Sequence, residues 1–312
     1  MRFNRPKPIN STNSRIAERS ESVYGRVMTT QKPTHTQKDS HYATLRRQYR
    51  DQKAGGTPQQ AERASRPQVA GTQAPEGLVR LYGLHTVRAA LDNPARQIKR
   101  MLVTKNALDR LEIADPDALG IDVEIVEPRA IDKETGSDAV HQGVMIEAKP
   151  LKAQSLKVLQ ESDLLLILDQ VTDPHNVGAI MRSAVAFGAG AIITTARHSP
   201  QESGVLAKAA SGALELIPHI EVRNLADAIS ELHELGFTTI GLDSEGPLEL
   251  EKTMKPGRIA LVLGAEGKGL RQKTRETVTH LARLDMPGAI KSLNVSNAAA
   301  ISLYAAQRYL TR

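Results

Sequence analysis

The sequence predicts an α/β protein built on a mainly parallel sheet. Two observations carry that expectation. Apolar runs of five residues, Leu164–Leu168, Ala191–Thr195 and Ile259–Leu263, are too short for buried helices and fit strands covered on both faces. Longer stretches with helical periodicity lie between them, and strands alternating with helices lead to parallel pairing. A third observation divides the chain: residues 1–75 carry 14 Lys and Arg against 5 Asp and Glu, a net +9, whereas the rest is net −3. The total of +6 therefore describes a tail and not the body.

Taken in order, residues 1–75 are rich in Ser, Thr, Gln, Pro, Arg and Lys, with few large apolar side chains. Such a segment buries too little surface to offset its ordering entropy and is expected to be disordered. It is a solvated linker, a salt-sensitive grip on nucleic acid, or an Arg- and Ser-rich presequence, against which Glu18, Glu21, Pro6 and Pro8 count. Residues 76–150 read as a small α/β domain. Tyr82-Gly-Leu-His85 leads into a helix to Leu91, and Ile98–Thr104 is a strand. A helix at Ala107–Ile113 and strands at Ile121–Val126 and Gly143–Ala148 follow. Lys149–Lys152 is the joint, with a short helix at Ser155–Glu161.

The larger domain, residues 151–312, opens on the Leu164 strand, turns at Thr172-Asp173-Pro174 and enters a helix capped near Asn176. Val177, Ile180, Ala184 and Val185 form its buried stripe, and Arg182 lies off it. Ala191–Thr195 is a strand, Ser203–Gly212 a helix and Leu214–Val222 a short strand broken at Pro218. An amphipathic helix at Leu225–Leu235 ends at Gly236, and strands follow at Phe237–Leu242, Ile259–Leu263 and His280–Leu284. The last helix spans Asn294 to Tyr309. It is apolar almost all round, so it should pack on the sheet and on a partner subunit.

With no cysteine, the chain has no disulfides and no thiolate nucleophile. No run approaches the roughly 20 apolar residues of a membrane span, and MRFNRPKPIN lacks the apolar core of a signal peptide. A reducing cytoplasm is expected. The histidines show no metal-ligand spacing, so no metal is assigned; His85 and His141 read as capping or structural residues.

Three stretches share one grammar, a strand followed by a glycine-bearing loop, polar residues and a helix start. They are Asp169–Gly188, Leu261–Leu270 and Leu284–Asn297. The glycines of Leu263-Gly-Ala-Glu-Gly-Lys-Gly269 either allow close ligand approach or merely make a tight turn. A phosphate loop is excluded, because Lys268 is followed by Gly269 and not by Ser or Thr. Three such loops from one parallel sheet would build one site at its carboxyl edge. That reasoning yields a ligand site with a carboxylate, an arginine, amides and serines, but no reaction.

The stretches Asn176-Val-Gly-Ala-Ile-Met-Arg182 with Ala186-Phe-Gly188, Leu263–Gly269, and Met286-Pro-Gly288 with Ser292-Leu-Asn-Val-Ser296 together resemble the SpoU branch of the SPOUT RNA methyltransferases, over residues 165–310. Tyr82–His85 to His141-Gln-Gly143 looks like that family's small RNA-binding domain. Ala207-Lys-Ala-Ala-Ser-Gly-Ala213-Leu-Glu is similar to the bacterial branch acting on a guanosine of 23S ribosomal RNA. The resemblance implies S-adenosylmethionine as donor, a ribose 2′-hydroxyl of RNA as acceptor, a carboxyl-terminal trefoil knot and a homodimer. Gly264, Leu284 and Leu293 would line the donor pocket, Glu266 would orient loop and substrate, and Asn176, Arg182, Ser292 and Asn294 would arrange the ribose and its phosphate. Arg182 is then a base assisted by substrate or, more in keeping with a guanidinium, an electrostatic clamp. A transfer RNA 2′-O-methyltransferase, a non-catalytic ribosome-assembly factor of the same fold and a small-molecule methyltransferase are the competing readings.

Overall fold

The computed structural model describes residues 71–159 and 162–311. The basic tail expected over residues 1–75 lies outside the described residues up to position 70. Thr72, within it, already joins the small domain, donating its backbone N–H to the carbonyl of Lys133 at 3.2 Å.

The small domain holds β1 (Val79–Tyr82), α1 (Leu84–Asp92), β2 (Ile98–Val103), α2 (Lys105–Arg110), β3 (Asp122–Ile125), α3 (Pro128–Thr135) and β4 (Val144–Ala148). Its sheet runs β1-β4-β2-β3, with β4 antiparallel to both neighbours and β2 parallel to β3. All five residues of β4 are buried, as a central strand requires. His141 stands between Asp132, 3.0 Å from its Nε2, and the backbone N–H of Gly143, which donates to its Nδ1 at 3.0 Å.

The larger domain is a seven-stranded sheet. Its elements are β5 (Leu164–Asp169), α4 (Pro174–Ala186), β6 (Ala191–Thr195), α5 (Gly204–Ala210), α6 (Ala213–Leu216), β7 (His219–Val222), α7 (Leu225–Glu234), β8 (Phe237–Leu242), β9 (Leu248–Glu249), α8 (Leu250–Thr253), β10 (Arg258–Gly264), α9 (Gln272–Thr277), β11 (His280–Arg283) and α10 (Val295–Leu310). The order is β7-β6-β5-β10-β8-β11-β9, and every pairing is parallel. Successive side chains of a strand face opposite ways, and the packing follows. Leu166, Leu168, Leu261 and Leu263 meet Val177 and Ile180 of α4 and Leu303 of α10, whereas Leu165, Ile167 and Val262 meet Leu225, Ile229 and Leu232 of α7. Both faces are thus covered, which is why these strands read as unbroken apolar runs. Among the described residues, no helix is long and apolar enough to cross a membrane.

Two expectations need correction. The first helix of this domain is capped by Asp173, whose carboxylate accepts from the N–H groups of His175 and Asn176 at 3.2 Å each. Pro174 occupies the first helical position, where its fixed φ suits the helix and its missing N–H costs nothing. Asn176 is therefore inside the first turn, with its side chain free for another partner. The segment Leu214–Val222 is not one strand. Ser211, at φ 51°, and Gly212, at φ 94°, end α5, and Ala213–Leu216 forms a separate helical turn before β7 begins at His219.

Candidate active site

β5 and β10 are neighbours in the sheet, in a register that sets Gly264 beside Asp169. The loops after β5, β10 and β11 consequently leave from one carboxyl edge. After β10 the chain doubles back, and Gly269 donates its N–H to the carbonyl of Ala265 at 2.8 Å. Gly267 (φ 75°) and Gly269 (φ 64°) supply the left-handed backbone this turn needs. A Cβ on Gly264 would overlap the backbone carbonyl of Gly269. The glycines therefore make a tight turn, which carries Glu266 on the loop beyond the end of β10.

Glu266 gathers the three loops. Its Oε1 accepts from Asn294 Nδ2 at 2.7 Å, from Asn176 Nδ2 at 3.2 Å and from the backbone N–H of Val295 at 3.2 Å. The last contact places a carboxylate on the first turn of α10, where the helix dipole favours negative charge. Asn294 caps that helix, its Oδ1 accepting from the N–H and hydroxyl of Ser296 at 2.9 and 2.6 Å.

A cleft of about 520 Å³ opens beside this junction, within the range usual for small-molecule sites. Leu242, Leu263, Leu284 and Leu293 give it apolar walls, and Gly264, Glu266 and Ser292 lie on its lining with the ion pair of Asp243 and Arg275. Of the residues singled out in the sequence, Gly264, Glu266, Leu284, Ser292 and Leu293 line the cleft, and Asn176 and Asn294 join it through Glu266. Arg182 is not on that lining. It is exposed on α4, one and a half turns beyond Asn176.

Sequence reasoning missed the support beneath the loop. Asp169, fully buried at the end of β5, accepts from Arg271 through its backbone N–H at 3.0 Å and its Nε at 2.6 Å. That pair pins the start of α9 to the same edge. The signal was a carboxylate closing the run Leu164–Leu168, since a buried charge of this kind requires a partner.

The geometry matches known proteins over most of the described chain. The SpoU rRNA Methylase family matches residues 163–304, and the RNA 2′-O ribose methyltransferase substrate-binding family matches residues 80–154. The 23S rRNA (guanosine-2′-O-)-methyltransferase RlmB of Vibrio vulnificus is 37% identical over 237 residues, 73% of this chain and 96% of its own. Among solved structures, the AdoMet-bound rRNA methyltransferase of Sinorhizobium meliloti is 26% identical with a TM-score of 0.64, covering 75% of this chain and 88% of that one. The SpoU methyltransferase AviRb of Streptomyces viridochromogenes, 21% identical, shares the fold with a TM-score of 0.63 over 75% of this chain and 90% of its own. The chain belongs to the SpoU rRNA methylase family.

Proposed function

We propose that this protein transfers a methyl group from S-adenosylmethionine to a ribose 2′-hydroxyl of RNA, with a guanosine of 23S ribosomal RNA as the acceptor. The single observation that carries this reading is the convergence of Asn176, Glu266 and Asn294, from three separate loops, beside an apolar cleft. The cleft suits the donor: leucines flank its apolar part, and Gly264, where a side chain would strike the Gly269 backbone, lets the loop fold back along the lining. Gly264, Leu284 and Leu293 hold the donor, which supplies an electrophilic methyl on a sulfonium with a neutral leaving group.

What the protein must add is a nucleophile, because a ribose hydroxyl is a very weak acid. Asn176, Ser292 and Asn294 orient the sugar, and Glu266 keeps their loops in register. Such alignment supplies part of the roughly 7–11 kcal/mol available from effective concentration. Arg182, exposed on α4, clamps the adjacent phosphate and stabilises the forming oxyanion, a contribution of about 3–4 kcal/mol for a preorganised donor. The proton leaves through phosphate or water, since a guanidinium stays charged.

The same reading includes a homodimer, the trefoil knot of the carboxyl-terminal segment and a cytoplasmic setting. The dimer is supported by α10, which leaves Ile301 47% and Tyr304 56% exposed, with Tyr304 edge-on to Phe187 at 5.9 Å. Exposed apolar residues grouped in this way mark an interaction face. Incubating the full chain with labelled S-adenosylmethionine and separate 23S, 16S and transfer RNA tests the proposal. Label in 23S RNA alone is expected. Label in transfer RNA transfers the activity to another acceptor, and donor binding without transfer to any RNA overturns the enzyme in favour of an assembly factor.

A further inference from the structure

The segment from Gly204 to Glu215 contains the Ala207–Glu215 motif yet touches neither the cleft nor the Glu266 junction. It lies instead against the small domain. Leu84, Val87 and Ala90 of α1 share one continuous buried cluster with Leu206, Ala210 and Leu214. Glycines stand at the start of α5 and just beyond its end, where the small domain comes close. A Cβ on Gly204 would overlap the Tyr82 ring and stand 2.7 Å from the carbonyl of Arg80, and one on Gly212 would sit 3.3 Å from the carbonyl of His85. On its other side α5 is pressed by α4, where a Cβ on Gly178 would be 2.6 Å from the carbonyl of Leu206.

Polar contacts close this seat at each end. At one end the buried guanidinium of Arg96, from the small domain, meets two carboxylates of the large domain. Its Nε donates to Glu215 Oε1 and Oε2 at 3.0 and 3.1 Å, its Nη2 to Glu215 Oε1 at 2.6 Å, and its Nη1 to Glu202 Oε1 at 2.5 Å. The interdomain joint is drawn in as well: Nη1 also donates to the carbonyl of Lys149 at 2.9 Å, and the N–H of Leu151 donates to Glu202 Oε2 at 2.9 Å. At the other end Lys208 Nζ donates to Gln142 Oε1 at 2.5 Å, an oxygen that also accepts the N–H of Leu84 at 3.2 Å. The motifs Tyr82–His85, His141–Gly143 and Ala207–Glu215 therefore meet one another. Between the two ends, Thr86 donates its hydroxyl to the carbonyl of Ala207 at 3.1 Å.

A buried ion cluster adds little net stability over apolar packing, because desolvation offsets the attraction, but pulling one partner away leaves a buried charge uncompensated, so displacing the small domain is costly. Domains joined only by a tether need no such device. We infer that Gly204–Glu215 is a rigid docking seat for the small domain, and that Arg96 and Lys208 are positioning residues that fix the distance between the small sheet and the cleft and thereby select the nucleotide that is methylated. The docking stands on contacts alone; the selection of a nucleotide rests on the RNA methylation proposed above.

The absence of native cysteine makes the test direct. Spin labels are attached to Asp109→Cys in the small domain and Glu231→Cys in the large one, both exposed positions, in the full chain. Pulsed dipolar spectroscopy is then combined with RNA kinetics and mapping of the methylated nucleotide. Diluted with an excess of unlabelled chain, so that any dimer carries labels on one protomer, the parent is expected to give one narrow distance. Gly204→Val and Arg96→Lys, which keeps charge but loses the fork, are expected to broaden it. They should lower kcat/KM for RNA about 10²-fold, spread residual product to neighbouring nucleotides and leave S-adenosylmethionine affinity unchanged. Lys208→Ala, at the more accessible end, repeats the test if the other variants misfold, and Lys208→Arg should restore both distance and product. A broad parent distribution overturns the docking. A broadened variant with unchanged product and rate overturns the selection role. If the parent methylates no RNA, the enzymatic reading and the selection role fail together, while the distance measurement still judges the docking.

Discussion

Asn294 donates its side-chain amide to Asn176 Oδ1 at 3.0 Å across 118 positions of sequence, and to Glu266 Oε1 at 2.7 Å. Three side chains thus share one hydrogen-bond network, and removing one changes what the others do. Because both hold Glu266, which lines the cleft, Asn176→Ala and Asn294→Ala should each loosen that loop and weaken S-adenosylmethionine binding, and their effects should not add. A coupling of about 1 kcal/mol is expected for contacting partners near solvent. Titration calorimetry on the four proteins of the cycle measures it, and strictly additive losses would show that the contact carries no information between loops.

Arg182 stands outside the cleft lining, so its contribution should separate from donor binding. Arg182→Lys retains charge and loses the planar fork. Turnover should drop about 10²–10³-fold, as when a preorganised donor is lost, with S-adenosylmethionine affinity intact. Rates close to the parent in single-turnover assays would remove Arg182 from the chemistry.

The loop glycines make a contrasting pair. Gly264→Ala puts a methyl group into the Gly269 backbone, whereas a Cβ on Gly267, at φ 75°, meets no atom within 4 Å. The first should abolish donor binding by displacing the turn. The second should cost only the left-handed strain, about 1–2 kcal/mol, and keep the site. Thermal melts with and without S-adenosylmethionine distinguish them: a ligand-induced rise in Tm should persist in Gly267→Ala and vanish in Gly264→Ala.

The strands were legible where burial on both faces makes composition uniform, so Ala191–Thr195 and Phe237–Leu242 are found at the limits that apolar runs indicate. Asn176, Glu266 and Asn294 were legible as polar residues in the loops and helix starts that follow strands, although their mutual contacts are not encoded locally. Burial against the small domain misleads at Leu214, whose apolar neighbours Leu216 and Ile217 suggest a strand. Leu214 is buried in the docking cluster, while Leu216 points to solvent at 67% exposure. The insertion of β10 between β5 and β8 follows from long-range pairing and leaves no trace in a window of sequence. For the same reason Asp169 and Arg271, 102 residues apart, could not be matched beforehand.

The net +9 of residues 1–75 supports a further test. Deleting residues 1–70, which carry all of those charges and stop short of the Thr72 contact with the small domain, should weaken RNA binding and flatten its dependence on salt, because fewer counterions are released on association. Affinity for S-adenosylmethionine should be unaltered. Filter binding across a salt series reads the slope, and an identical slope in the truncated chain makes the segment a passive extension.

His219 gives the fold a predictable response to acid. From β7 its ring reaches β6, with Nε2 2.8 Å from Thr194 Oγ1. Burial pushes the imidazole below its ordinary value, against a smaller upward pull from the Glu221 carboxylate. The unfolded chain takes up this proton near pH ~6.5, while the folded protein resists until the pH is lower. Between those two points the unfolded state binds more protons, so stability rises with pH through the window. It is lost as pH falls from about 6.5 through the folded value, and above about 6.5 this residue adds no dependence. His219→Gln keeps a polar partner for Thr194 and cannot titrate. Urea midpoints at about pH 7.5 and about pH 5.5 should therefore differ less in the variant than in the parent. Equal differences in the two proteins would mean that the acid response originates elsewhere than at His219.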